Sequence, residues 1–145
     1  MTHTLGRKLC SLSTAFLLFA LALLATPMAW ADGKSTEVRM KTTLSGGALN
    51  GKTPSGHADF RSEAARNRSR LNVEVEHVAL ADGTALDVFA VHAGTSTQIG
   101  VIHLKLGMGE LELNSQDGGT VPAVTAGDMV VVNNGASPIL SGVFN

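Results

Sequence analysis

Four histidines lie beyond position 31: His57, His77, His92 and His103. A neutral imidazole can ligate a transition metal and can exchange a proton near neutral pH, so these are the most versatile side chains of that region. If the chain turns back between positions 93 and 97, His92 and His103 fall on adjacent strands, where two imidazoles begin a copper or zinc site. His57 or His77 would complete it. Met40, Met108 and Met129 offer thioethers suited to Cu(I), although methionine at strand positions also serves as core filler. The spacing contains no His-x-His pair, so the metal reading, with His92 and His103 as its candidate ligands, stands second to one in which no cofactor is bound.

Charged residues give the next candidates. Arg61, Arg66, Arg68 and Arg70 gather around the polar connection from Ala64 to Ser69. Guanidinium groups pair bidentately with carboxylate or phosphate, which makes this a candidate anion-binding loop. Glu74 and Glu76 share a strand face, as do Glu110 and Glu112, and paired carboxylates can divide acid and base roles when their environments differ. On alternating strands they are expected on the solvated side. No Gly-x-Ser-x-Gly elbow and no Gly-rich phosphate loop is present. The pattern predicts a protein that is not an enzyme.

The elements that position these residues begin after a leader. Arg7 and Lys8 precede an apolar run from Leu9 to Ala25, and Ala29-Trp30-Ala31 is a small-x-small cleavage site before Asp32. Residues 1–31 read as a secretory signal peptide, with a retained membrane anchor as the rival. The expected mature chain, 32–145, is one exported domain, periplasmic or extracellular in a bacterium, and off the membrane once the leader is removed. Its 114 residues contain no cysteine, because Cys10 lies in the leader, and this excludes disulfides and thiolate chemistry. Nine basic and twelve acidic residues leave a charge of −3 on the mature part. Residues 32–70 carry eight Lys/Arg against four Asp/Glu, and residues 71–145 carry one against eight, as expected if neighbouring strands present complementary surfaces. With no Tyr, and with Trp30 in the leader, nothing suggests nucleic acid.

The hydrophobic period is that of strands nearly throughout. Strands are expected over 37–44, 57–63, 71–80, 84–92, 98–106, 110–114, 129–133 and 138–144. Val121-Pro122-Ala123-Val124 is extended, with Pro122 suited to an edge or a crossover. Within 71–80, Leu71, Val73 and Val75 share one parity, while Val78 and Leu80 take the other. A β-bulge near Glu76-His77 would bury all five. The strand over 84–92 has apolar residues on both faces and reads as central. Asp82-Gly83 and Asn134-Gly135 are turn signals. Eight short strands predict an all-β fold, an antiparallel β-sandwich of immunoglobulin-like character, with a small β-barrel as the alternative.

Leu44-Ser45-Gly46, followed by Thr53-Pro54-Ser55-Gly56-His57-Ala58-Asp59-Phe60, resembles the opening of chordin-type (CHRD) domains, with their Leu-x-Gly, Pro-containing loop and Gly-x-Ala-x-Phe strand. Ala90-Val91-His92-Ala93-Gly94 with Gly100-Val101 resembles that family's His-x-His-Gly region and its following Gly-Val strand. Ala90 stands where the family's first His would fall, and the stretch from Gly109 to Phe144 matches less well. Glu110-Leu111-Glu112-Leu113-Asn114 and Val121-Pro122 are also similar to patterns in small exported bacterial β-sandwich proteins. The resemblance implies a β-sandwich with an exported binding or matrix role, and supplies no activity. The expected function is a non-enzymatic envelope or surface module recognising a protein, polysaccharide or envelope component through loops at one end of the sandwich. The alternative is a periplasmic copper- or zinc-binding protein.

Overall fold

The computed structural model describes residues 36–145. The expected signal peptide, residues 1–31, and Cys10 within it lie outside them. The fold is all-β, with eight antiparallel strands: β1 (Glu37–Ser45), β2 (Ser55–Glu63), β3 (Arg68–Glu76), β4 (Ala85–His92), β5 (Thr95–His103), β6 (Gly109–Asn114), β7 (Met129–Asn134) and β8 (Ser137–Val143). They form one sheet in the order β5-β4-β7-β8-β1-β2-β3-β6.

The sheet curls until its two ends meet. β5 and β6 are joined by the turn whose ends bridge at Lys105 and Met108. A Cβ added at Gly100 would lie 2.6 Å from Leu111 Cδ1, so the two edge strands pack side by side without a continuous ladder. The result is a nearly closed barrel, compatible with either the expected β-sandwich or its small-barrel alternative.

Period-two alternation fills the interior. Ala58 and Phe60 of β2, Leu71, Val73 and Val75 of β3, Leu86 and Val88 of β4, Ile102 of β5, Val130 and Val132 of β7 and Leu140 of β8 are all buried. Register preserves the pattern, since Val88 sits opposite Val132 and Leu71 opposite Leu113. β4 lies between β5 and β7, so it has a ladder partner on each side as expected, while Phe89 and Val91 on its other face are only half-buried.

The parity change after Val75 is made differently from the expected bulge. β3 ends at Glu76, and His77 takes a left-handed backbone with φ +58°. That one residue reverses the chain, so Val78 enters the core at 2% exposure and its N–H donates to the Gly107 carbonyl at 2.9 Å. Leu80 packs only partly against the core. The ladder irregularities lie elsewhere, between Val88 and Phe89 in the β4–β5 pairing and between Val132 and Asn133 in the β7–β8 pairing. Val121–Val124 joins no strand, yet Val124 is buried, so the segment covers core on its way from β6 to β7.

Turn chemistry sets several boundaries. β4 and β5 are joined by Ala93-Gly94 alone, both at positive φ, so β5 starts earlier than expected. In the β7–β8 hairpin only Gly135 has positive φ, and the two-residue turn is Gly135-Ala136 rather than one centred on Asn134-Gly135. The β5–β6 turn places Leu106 at φ +55° and Gly107 at φ +76°. Two successive left-handed residues make a type I′ turn, for which Asn-Gly is the favoured pair. Leu106 is 77% exposed, so its side chain gains little packing in return for this strain. Leu106→Asn is expected to raise stability by about 1 kcal/mol, read as a shift in the urea midpoint at constant slope.

Candidate functional site

Outward positions of β1, β2, β3 and β6 carry a lattice of charges of both signs. Lys41 stands opposite Asp59 and pairs with it at 2.6 Å. Arg61 stands opposite Arg70, a like-charge juxtaposition that is unfavourable by itself. Each arginine turns to a carboxylate on its other neighbour. Arg61 Nε lies 3.0 Å from Glu37 Oε1, which also holds Arg39, and Arg70 Nη2 lies 3.1 Å from Glu112 Oε1. Glu63 is nearly buried and receives Arg66 at 3.2 Å and Arg68 at 2.9 Å. Glu74 accepts from Asn72 Nδ2 at 3.0 Å and lies 3.4 Å from His57 Nε2.

The four arginines of the expected anion-binding loop are placed as follows. Only Arg66 lies in the connection after β2; Arg61, Arg68 and Arg70 belong to strands, and all four guanidinium groups already face carboxylates. An anion would have to displace them. Glu76 is exposed, and Glu74 stands opposite Glu110 on the outer face.

The lattice surrounds a depression of about 530 Å³. Every side chain lining it is polar or charged, including the amides of Asn72, Asn114 and Gln116. Lys41, Arg61, Arg68 and Arg70 oppose Asp59, Glu63 and Glu74, so four cations meet three carboxylates and the local charge is close to balanced. Asn72 Oδ1 is buried without a hydrogen-bond partner among the described residues.

A second constellation lies where β4, β7 and β8 approach the connection before β7. Asp128, only 8% exposed, accepts from the backbone N–H of Thr125 at 2.7 Å and from Thr125 Oγ1 at 3.1 Å. His92 Nδ1 lies 2.9 and 3.0 Å from its two oxygens. An ionised carboxylate only accepts, so Nδ1 carries the proton and donates. Main-chain bonds complete the anchor: Asp128 N–H donates to Thr125 O, Phe144 N–H to Asp128 O, and Gly127 N–H to Phe144 O.

The His92 hydrogen bond, then the Thr125 backbone N–H, hold the Asp128 carboxyl below the ordinary carboxylate range, against the opposing effect of burial. A lowered value in the folded state contributes stability above the unfolded value, and that contribution disappears as pH falls through the folded one. The stability difference between the parent and Asp128→Asn is therefore expected to be full near neutral pH and to shrink below about pH 4. Urea titrations at several pH values read it.

His92 and Asp128 border a small cleft of about 120 Å³ whose walls are mainly apolar, Leu71, Val124, Val130 and Phe144 among them. Mouths of β-barrels are common ligand sites. Spacing gave no hint of Asp128, which lies 36 positions from His92. The one local signal is Thr125 three residues before it, closing a side-chain-capped turn.

The metal pair is not assembled. His103 stands opposite Ala85 and His92 opposite Thr95, at the two ends of one hairpin. Seven positions along a strand amount to about 23 Å, whereas both nitrogens must lie about 2 Å from one ion. His57 lies near Glu74, and His77 Nδ1 lies 3.1 Å from Ser55 Oγ. Met40 leans on the core, Met108 is exposed beside the β5–β6 turn, and Met129 borders the small cleft. Among the described residues no group of three or more His, Cys, Asp or Glu is placed to hold an ion.

No family model matches the chain, and comparison with curated proteins finds no significant match.

Proposed function

We propose that this protein is a non-enzymatic exported binding module whose outer β1-β2-β3-β6 face holds a polysaccharide of low net charge. The observation that carries this reading is the all-polar depression of about 530 Å³ built on ladder-paired strands. Rows of hydroxyl groups need many donors and acceptors at fixed spacing. Guanidinium, amide, carboxylate and imidazole groups on adjacent strands supply both kinds, held by rigid elements rather than by mobile loops. Near-balanced charge disfavours a strongly ionic polymer, which would meet like charges wherever it lay. The resemblance to chordin-type domains, with its binding or matrix role, agrees with this assignment, which moves the recognition surface from the loops to a sheet face.

The test is retention of the purified protein on an array of neutral, amino-sugar and uronate polysaccharides, repeated with the charge-neutral double variant Lys41→Ser, Asp59→Ser. An exposed ion pair contributes at most about 1 kcal/mol to stability, so the variant remains folded. Retention on neutral or mixed-charge polymers that drops about tenfold in the variant, equivalent to about 1.4 kcal/mol, supports the assignment. No retention on any polymer, or equal retention of parent and variant, overturns it.

A further inference from the structure

The small cleft beside His92 is independent of the polar face, and its construction specifies a ligand. Its walls are mainly apolar, so a ligand that fills it must be mainly hydrocarbon, and the polar side chains at its border are His92, Thr97 and Asp128. One polar group is held in a defined state beside them. The Asp128 carboxylate, itself fixed by Thr125 N–H and Oγ, accepts the hydrogen bond donated by His92 Nδ1–H. In the neutral imidazole this leaves Nε2 as a lone-pair acceptor, the arrangement by which a carboxylate orients a histidine toward a third group. The His92 side chain is 62% exposed, and no other partner of its ring is present among the described residues. The ring is therefore presented to an incoming molecule while its orientation is set from behind.

Volume limits what fits. A cavity of about 150 Å³ accepts benzene, so a cleft of about 120 Å³ takes a saturated ring or branched chain of some five carbons. We infer that this cleft is a second binding site, for a small aliphatic alcohol whose hydrocarbon part packs against Ala90, Pro122 and Met129 and whose hydroxyl donates to His92 Nε2. Thr97, also exposed at the cleft, is the neighbouring polar side chain. Nothing in the arrangement calls for covalent chemistry: the hydroxyl keeps its proton in a hydrogen bond.

Cyclopentanol and cyclopentanone separate shape from hydrogen bonding, since they are nearly the same size and only the alcohol donates. Saturation-transfer NMR on the purified protein is expected to show cyclopentanol binding in the millimolar range. Backbone shifts should fall at Ala90, Thr97 and Val124, and cyclopentanone should bind about tenfold more weakly. His92→Leu is expected to bring the two ligands to equal affinity. Ala123→Leu, which adds bulk at an exposed position of the cleft lining, should remove both, and Ala90→Leu supplies an independent fill from β4.

Any of three results overturns the proposal: no transfer from either ligand up to about 20 mM, ample for a ligand of six heavy atoms; equal binding of alcohol and ketone by the parent; or binding that survives in both filled variants while their amide spectra remain those of the folded protein. Because the polar depression shares no residue with this cleft, polysaccharide retention by Ala123→Leu stays at the parent level, and failure of one site is distinguishable from failure of the other.

Discussion

Replacing Phe144 by alanine is expected to cost about 3–5 kcal/mol of unfolding free energy, the range for a fully buried aromatic side chain. Phe144 follows β8 directly and is 1% exposed. Its ring belongs to the core cluster, while its N–H and C=O bind Asp128 O and Gly127 N–H at 2.8 and 2.9 Å. The side chain thus seals one part of the barrel wall where no strand partner continues, and the main chain fixes the turn that carries Asp128. Truncation leaves a void beside the small cleft, so the loss combines missing transfer energy with an unfilled cavity. Val143, one position earlier on the opposite face, is 47% exposed. Val143→Ala should change stability by no more than about 0.5 kcal/mol. Urea titrations of both variants decide the matter: a Phe144→Ala effect below about 1 kcal/mol would show that this residue does not close the core.

The second large effect is expected at Gly46. A Cβ there would collide with the Ile139 carbonyl oxygen and stand 2.9 Å from its carbonyl carbon, both of them backbone atoms that cannot swing aside. From the other strand, a Cβ on Gly142 would meet the Thr43 carbonyl oxygen and lie 2.7 Å from Thr42 Oγ1. These two glycines occupy the seam where β1 meets β8, and among the described residues Ser45 opposite Ser141 is the one register pair between the strands. The barrel wall is continuous at this seam only because two backbones approach closely, and Gly46→Ala must push them apart. The expected cost is about 3 kcal/mol, which for a domain of this size lowers the melting temperature by more than about 10 °C. Gly47→Ala is the internal control, since a Cβ there meets nothing within 4 Å. Equal melting temperatures for the two variants would show that the seam tolerates separation.

How far each site was legible in the sequence follows from the range of the interactions that make it. His57, Asp59 and Arg61 alternate with Ala58 and Phe60, and from that alone β2 shows which side chains face water. The polar face was legible to that extent. The pairing of Arg70 with Glu112 was not, because it requires β6 to lie beside β3, and 32 residues of chain separate the end of β3 from the start of β6. The uneven charge of the two halves signalled complementarity without naming partners, and the carboxylate that each of the four arginines meets was not legible for the same reason. His92 and His103 failed as a pair for a related reason. They were correctly placed on adjacent strands, but the tight Ala93-Gly94 turn puts Thr95 opposite His92 and sends His103 to the far end of the hairpin.

Sequence by itself determined what is local: the period-two alternation that makes this an all-β chain of eight strands, most of the side chains that face inward, and the parity change after Val75. These follow from a side-chain period of two and from the conformational limits of turn residues, which act over a few neighbours. Leu106, expected inward with Ile102 and Leu104, is instead an exposed residue of the turn that ends β5 at His103. Tertiary structure alone decided strand order, closure of β5 against β6, the Gly46–Gly142 seam, the carboxylate given to each arginine and the seating of His92 on Asp128. Each of these joins residues far apart in the chain, and no short-range preference encodes such a meeting. It arises when burial of the inward faces selects one closed arrangement of the whole sheet.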